Sequence, residues 1–209
     1  MIGLFAAAWL SCSYPPETAR IQQAGPPTAA VAMDAPVFWA IVDRTAVHES
    51  DPDRQLEALR AELVALTAEE VVAFRNAFEA QLARAYSWDL WAVAYVAHGG
   101  ASDDGFEYFR RWMVSKGRAS FERLLTRPDD LADMLVDEVE GGLEFEEIFY
   151  VADEVWSEKT GLDPAEMPVD PVSMTVGREP RGVPFEDEPE HLESRIPKTW
   201  ARFGAHPLG

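Results

Sequence analysis

Residues 88–97 read Trp-Asp-Leu-Trp-Ala-Val-Ala-Tyr-Val-Ala, and this stretch decides the fold class. The run is apolar on nearly every side of a helix, which is typical of a central helix packed all round by others. Gly99 and Gly100 follow it, and glycine ends a helix at little steric cost because it readily adopts the left-handed conformation. The sequence therefore predicts a buried helix that stops before Gly99.

Amphipathic helices are predicted on both sides of this run. Before it, Val71, Phe74 and Phe78 recur three and four residues apart, so they share one face of a helix. Thr67 and Glu70 have the spacing of a capping box, in which each side chain satisfies a free backbone N–H group at the start of the helix. This pattern predicts a helix that begins at about residue 68.

The later segments complete the prediction of the fold. Asp104 and Glu107 suggest another capping box, and a last long helix is predicted over residues 144–159. No stretch alternates apolar and polar residues as a half-buried strand would. We predict an all-α fold, a single helical domain of about seven or eight helices with an irregular, Pro-rich acidic C-terminal tail. The predicted divisions are a leader over 1–32, the helical domain over 33–161, and the tail over 162–209 with a terminal aromatic anchor of Trp200 and Phe203.

The charge of the chain is strongly regional. Among 209 residues there are 37 acidic and 18 basic side chains, a formal net charge of −19. Residues 127–190 hold 20 of the acids and 4 of the bases, a net charge of −16. Such a field repels phosphates, so we expect no direct nucleic-acid binding. The single cysteine excludes a disulfide framework, and because standard cofactor motifs are absent we expect no cofactor.

The first 32 residues differ in composition from the rest. Residues 1–10 form a short apolar run, about half the length needed to span a bilayer. Residues 13–32 are rich in Pro, Ala, Thr and Gly, which suits an unstructured leader. We favour a mis-assigned upstream start codon, with the protein beginning at Met33; a signal or anchor segment and a disordered tail are the alternatives. The expected location is then the cytoplasm, with no membrane partner.

Two adjacent carboxylates are the most suggestive candidates for chemistry. Asp103 and Asp104 follow Ser102, and together with Glu107 they could bind a metal or serve in acid–base catalysis. The first turn of a helix, however, is also stabilised by side-chain acceptors and negative charge. We favour this structural role.

Asp89 is unusual because it lies inside the most apolar segment, where an unpaired carboxylate is costly. Ser87 or Asp89 itself could cap the helix, or Asp89 could pair with Arg84, Arg110 or Arg111. A functional carboxylate in a pocket is the third possibility. Aromatic side chains that could line such a pocket, although aromatics at helical spacing more often form plain core, are Trp88, Trp91, Tyr95 and Trp112.

No metal site is predicted. Glu188 and His191 have the spacing of a ligand pair in di-metal helical bundles, but Pro residues flank them and no helix is expected there. His48, Glu49, Asp51 and Asp53 could take a divalent cation, but they are interpreted as a polar loop and helix cap.

A set of acidic side chains recurs mainly at three- and four-residue intervals late in the chain. The simpler interpretation is the solvated face of the last helix, and the sharper one is an electrostatic docking face for a basic protein partner. The set comprises Asp137, Glu140, Glu144, Glu147, Glu154 and Glu158.

Several segments are long and unusual in combination. They are Phe38-Trp39-x-Ile41-Val42-Asp43, Trp88-Asp89-Leu90-Trp91, Gly99-Gly100-x-Ser102-Asp103-Asp104-Gly105-Phe106-x-Tyr108-Phe109-Arg110-x-Trp112, Gly117-Arg118, Phe121-Glu122 and residues 146–150. Together they resemble the bacterial family catalogued as domain of unknown function 4240, over about residues 33–161. Members of that family start just before the Phe-Trp pair, which supports Met33 as the start.

The resemblance implies no activity. Ala101 stands where the family pattern has Cys, so any role of that thiol is absent here. The resemblance offers positions as candidate site residues: Trp88, Asp89, Trp91, Ser102, Asp103, Asp104, Tyr108 and Arg110.

Three hypotheses of function follow. The first is a non-enzymatic protein-binding or regulatory module that meets a basic partner through its acidic back third. The second is an enzyme of unknown type, with a pocket around Trp88, Asp89, Asp103, Asp104 and Arg110. The third and weaker one is a nucleic-acid mimic, in which the carboxylates of the last helix imitate spaced phosphates.

The start site is directly testable. Edman sequencing of the native protein, purified from its source cells, should begin at Met33, because residues 1–32 carry no helical pattern and the first helix signal follows Met33. An N-terminus at Met1, or one inside residues 11–32, would contradict this start.

Overall fold

A computed structural model describes residues 32–135, 142–170 and 178–208, and these ranges contain ten α-helices and no strand. The all-α prediction is therefore confirmed, with somewhat more helices than predicted. The helices are α1 (Ala35–Ala46), α2 (Pro52–Val64), α3 (Ala68–Ala85), α4 (Trp88–His98), α5 (Asp103–Ser115), α6 (Gly117–Thr126), α7 (Leu131–Met134), α8 (Tyr150–Thr160), α9 (Pro189–Arg195) and α10 (Pro197–Phe203).

Side-chain caps determine where α3 and α5 begin. The predicted capping box of α3 is present, with Glu70 N donating to Thr67 Oγ1 at 3.2 Å and Thr67 N donating to Glu70 Oε2 at 2.8 Å. The box predicted at Asp104 is wrong. Ser102 caps α5 instead, because its Oγ accepts from Gly105 N at 3.2 Å and the helix already includes Asp103.

The core is built where α3 packs against α1, α5 and α8. Phe38, Phe74, Phe78 and Phe149 meet there with ring centroids 5.0 to 6.3 Å apart. Helix α4 packs between α5 and α10, and its small residues, such as Ala92 and Val93, are completely buried. It is not packed all round as predicted, because Trp88 and Trp91 are half-buried and Asp89 is exposed. Burial of these apolar surfaces is the main driving force for the fold.

The last long helix begins later than predicted. Helix α8 starts at Tyr150, and a 3₁₀ turn over Glu147–Phe149 precedes it. The apolar side chains of this stretch, including Phe145 and Trp156, are buried all the same. Phe145 N donates to Tyr108 O at 3.2 Å, so the residues before the turn cross α5 rather than continuing a helix.

Residues 178–208 carry more structure than the predicted irregular tail, because α9 and α10 lie within them. The predicted aromatic anchor is part of α10, where Phe203 is buried and Trp200 is half-buried. The Asp129 carboxylate accepts from Lys198 N at 3.0 Å and from Thr199 N at 2.8 Å, which holds the start of α10. Lys198 Nζ and Arg123 lower the pKa of Asp130 to about 2.

Some predictions fall outside the described residues. They concern the leader up to residue 31 and the acidic residues Asp137 and Glu140. Across the described ranges, none of the helices combines the length and the apolar character that crossing a bilayer requires.

Gly117 offers a test of how α1 and α6 are joined. Its φ is +82°, and an added Cβ would lie 2.8 Å from Asp43 Oδ1, the atom that accepts from Arg118 N at 2.7 Å. Gly161 has a similar φ of +71° but open space around it. Alanine introduces the same kind of backbone strain at both positions. The difference between the two losses in the free energy of unfolding therefore measures the contact with Asp43.

We expect Gly117→Ala to lower the free energy of unfolding by about 1 kcal/mol more than Gly161→Ala does. Urea denaturation followed by tryptophan fluorescence measures both. Equal losses in the two variants would show that the contact between Asp43 and α6 contributes nothing.

Candidate functional site

A cleft of about 510 Å³ opens between the start of α4, one face of α5 and the segment 178–180. Five of the predicted site residues line it together. The lining residues are Tyr86, Trp88, Trp91, Asp103, Asp104, Glu107, Arg110, Arg178, Glu179 and Pro180.

The α5 side of the cleft follows from helical spacing. Asp103, Glu107 and Arg110 stand at positions i, i+4 and i+7, which lie one above another on a helix. Asp103 and Asp104 also fill the first turn, where negative charge is favourable beside free N–H groups. The predicted structural role and a place at the cleft are therefore compatible.

Stacked aromatic rings form the α4 side. Trp88 stacks on Trp91 with centroids 5.2 Å apart, and Trp91 stacks on Phe106 at 4.8 Å. Trp91 Nε1 donates to Ala101 O at 3.0 Å, which fixes the ring orientation. This column of rings forms one side of the cleft and joins α4 to α5.

Arg110 is the buried cation of the cleft, with only 3% of its surface exposed. Its guanidinium carbon lies 4.7 Å from the centroid of the Tyr86 ring and 5.1 Å from that of Phe106. Nη1 donates to Leu82 O at 3.0 Å, whereas Nε is buried and has no hydrogen-bond partner. Burial lowers the pKa of Arg110 to about 10, so the group is still a cation at neutral pH.

The third side of the cleft comes from a distant part of the chain. Trp88 N donates to Arg181 O at 2.9 Å, and Arg181 N donates to Tyr86 O at 3.0 Å. This short bridge holds residues 178–180 against the aromatic wall. Sequence reasoning missed Glu179 and Arg178, because no periodic pattern marks a backbone contact between segments nearly a hundred residues apart.

Asp89 does not belong to the cleft. It is exposed, and its Oδ1 lies 2.7 Å from Nη2 of Arg195, near the end of α9. Of the alternatives for this segment, the cap at Ser87 is confirmed, because its Oγ accepts from Leu90 N at 3.4 Å. The pairing with Arg84, Arg110 or Arg111 is wrong, because Asp89 pairs with Arg195 of α9.

Tyr108 lies outside the lining as well, on another face of α5. Its ring centroid is 5.4 Å from the Arg111 guanidinium, and burial together with a hydrogen bond to Glu146 raises its pKa. Ser102 acts as the cap of α5, as described above. These two candidates support the helix that carries the cleft rather than the cleft itself.

The four described members of the predicted acidic docking face are not on one helix. Glu154 and Glu158 are on α8, where Arg60 approaches them at 3.8 and 2.5 Å. Glu147 lies in the 3₁₀ turn, and Glu144 lies before it, 3.9 Å from His98 Nδ1. Arg60 therefore offsets part of the charge of this surface.

A cluster of possible metal ligands occurs at the start of α9. Ligand atoms of Glu186, Glu188 and His191 lie within 4.8 Å of one another on the exposed surface. The expectation that no helix would include His191 is wrong, because Pro189 opens α9 there. His191 Nδ1 lies 2.6 Å from Glu186 Oε2, and this direct contact accounts for the approach of the two side chains without a metal.

Comparison with known proteins gives one result. A family model described as "Protein of unknown function (DUF4240)" matches residues 33–158, whereas no curated protein and no solved structure matches the chain. The match includes the α4 and α5 sides of the cleft and excludes residues 178–180. Because it spans more than half of the chain and confirms the resemblance seen in the sequence, the protein belongs to the DUF4240 family.

Proposed function

We propose that this protein is a non-enzymatic binding module, and that its cleft receives a cationic side chain of a basic protein partner. One observation carries the proposal: carboxylates from two separate parts of the chain, Asp103 and Asp104 on α5 and Glu179 in the later segment, meet beside a wall of aromatic rings. We place this binding in the cytoplasm, since a single cysteine offers no disulfide to an oxidising compartment.

The carboxylates of Asp103, Asp104 and Glu179 form the rim of the cleft. They have fewer basic partners than the other acids of this surface. Within the described ranges, Asp103, Asp104 and Glu179 form no ion pair at all, whereas Glu107 is paired with Arg111. On α8, Arg60 approaches both Glu154 and Glu158. A cation placed beside Asp103, Asp104 and Glu179 therefore meets carboxylates that no described base pairs with, unlike those on α8.

The aromatic wall favours the same kind of ligand. A lysine or arginine side chain is attracted to aromatic rings, by about 0.5–1 kcal/mol at exposed sites and more where water is excluded. Its aliphatic stem can also cover the half-buried Trp88 ring. Carboxylates beside aromatic rings thus complement both the charge and the stem of a basic side chain.

The other two hypotheses have less support. Asp103 and Asp104 are exposed residues in the first turn of a helix, where their charge already stabilises α5, and the cleft lining contains no Ser, Thr, Cys, Lys or His beside them. The mimic needs an extended carboxylate array over residues 144–159. Helix α8 begins only at Tyr150, and Arg60 interrupts the negative surface there.

A matched pair of double variants tests the proposal. We expect Asp103→Asn with Asp104→Asn to weaken binding of short labelled peptides about five- to tenfold, because each lost charge pair is worth a few tenths to about 1 kcal/mol. Glu154→Gln with Glu158→Gln removes the same charge from the docking face and should change binding less than about twofold. The measurement is fluorescence anisotropy with a panel of end-blocked peptides, each carrying one arginine or lysine.

Salt and stability controls complete the experiment. Binding should weaken as salt rises, because exposed charges are screened within about 10 Å at 0.1 M. Thermal unfolding checks that both double variants are folded. Failure of every peptide to bind, or a larger loss from the variant on α8, would contradict the proposed function.

A further inference from the structure

Arg110 is a feature of the cleft that a site for cations does not require. Its side chain is almost completely buried, it lines the cleft, and its Nε has no acceptor. A buried donor without a partner costs free energy, and more so on a charged group. A like charge deep in the cleft would also oppose a basic ligand unless the ligand brings a negative group with it.

The two acids that act electrostatically on Arg110 are already paired with other arginines. Glu107 pairs with Arg111, the residue that follows Arg110 on α5, and Glu79 pairs with Arg75 at 2.9 Å. Within the described part of the chain, Arg110 has no carboxylate of its own. Its contacts are the Leu82 carbonyl and two aromatic rings, which leave the guanidinium charge without an anion.

The opposite charges of the cleft are separated along α5. Asp103 and Arg110 are seven residues apart, which places their Cα atoms about 10 Å apart along the helix axis. A matching ligand carries a cationic side chain for the rim and a carboxylate for the interior. One residue with both groups is a lysine or arginine with a free α-carboxylate.

We propose that Arg110 binds a carboxylate, and that the cleft takes the C-terminal arginine or lysine of a partner protein. The planar guanidinium presents a fork of N–H donors that fits a carboxylate, and charge-assisted hydrogen bonds are the strong ones. This inference rests on the proposed function and narrows its ligand from any basic side chain to one at a chain end. A free basic amino acid has the same two groups and is the other source of this chemistry.

The test compares two labelled peptides that end in arginine and differ only in a free carboxylate or an amide at that end. We expect the carboxylate form to bind the wild-type protein at least about tenfold more tightly, as a charge-assisted hydrogen bond of about 1.5–3 kcal/mol implies. Equal binding would overturn this inference and leave the proposed function intact. Failure of both peptides to bind would overturn the proposed function.

Variants locate the carboxylate subsite. Arg110→Lys keeps the charge but loses the fork, so the preference for the carboxylate should fall to about threefold or less. Arg75→Lys changes another buried arginine that lies on an aromatic ring away from the cleft, and it should keep the preference. Circular dichroism and thermal unfolding check that both variants are folded. An unchanged preference in folded Arg110→Lys would place the carboxylate elsewhere and contradict the proposal.

Competition distinguishes the two sources. We expect unlabelled free arginine to displace the carboxylate peptide only at concentrations at least about tenfold above those of the unlabelled peptide, because neighbouring peptide residues add contacts in a cleft of this size. Displacement at equal concentration would mean that a free amino acid is the ligand and would refute the chain-end partner.

Discussion

Three buried arginines in the described part of the chain lie on aromatic rings, and the apolar interior is packed around them. The Phe149 ring lies between two of them, with its centroid 3.5 Å from the guanidinium carbon of Arg75 and 4.1 Å from that of Arg111. The third is Arg110, on the rings of Tyr86 and Phe106. Each buried cation is costly unless rings, carbonyls or carboxylates offset its lost hydration, and the contacts with Phe149 join α3 and α5 to the 3₁₀ turn that precedes α8.

This constraint connects the core with the surface charge. The chain has a net charge of −19, and its buried arginines leave fewer cations on the surface to pair with the acids there. The surface carboxylates are then paired by the remaining exposed bases. Arg60 pairs with acids of α8, and Lys198 pairs with Asp130. The rim of the cleft has no such base paired with Asp103 or Asp104 in the described residues, so the negative charge there is available to a partner.

Much of the fold could be predicted from the sequence, because helix caps and the period of apolar residues are local signals. For example, Thr67 marks the start of α3, and Gly99 marks the end of the mostly apolar α4. The candidate site was only partly predictable. Two helices with clear sequence signals carry the predicted residues Trp88, Trp91, Asp103, Asp104 and Arg110. In contrast, Glu179 reaches the cleft, and Arg195 reaches Asp89, only through tertiary contacts between distant parts of the chain. Glu144 was predicted to lie on the last helix, which in fact begins at Tyr150, because a carboxylate at helical spacing does not by itself extend a helix.

The central claim is that a basic ligand occupies the cleft beside Trp88 and Trp91. The most direct measurement is a titration of the protein, labelled with ¹⁵N-tryptophan, with an arginine-containing peptide while the assigned indole N–H resonances are followed. The account predicts shifts of Trp88 and Trp91, with Trp156 on α8 unchanged. Movement of Trp156 with Trp88 and Trp91 unaffected would place the ligand on the α8 surface and contradict the account.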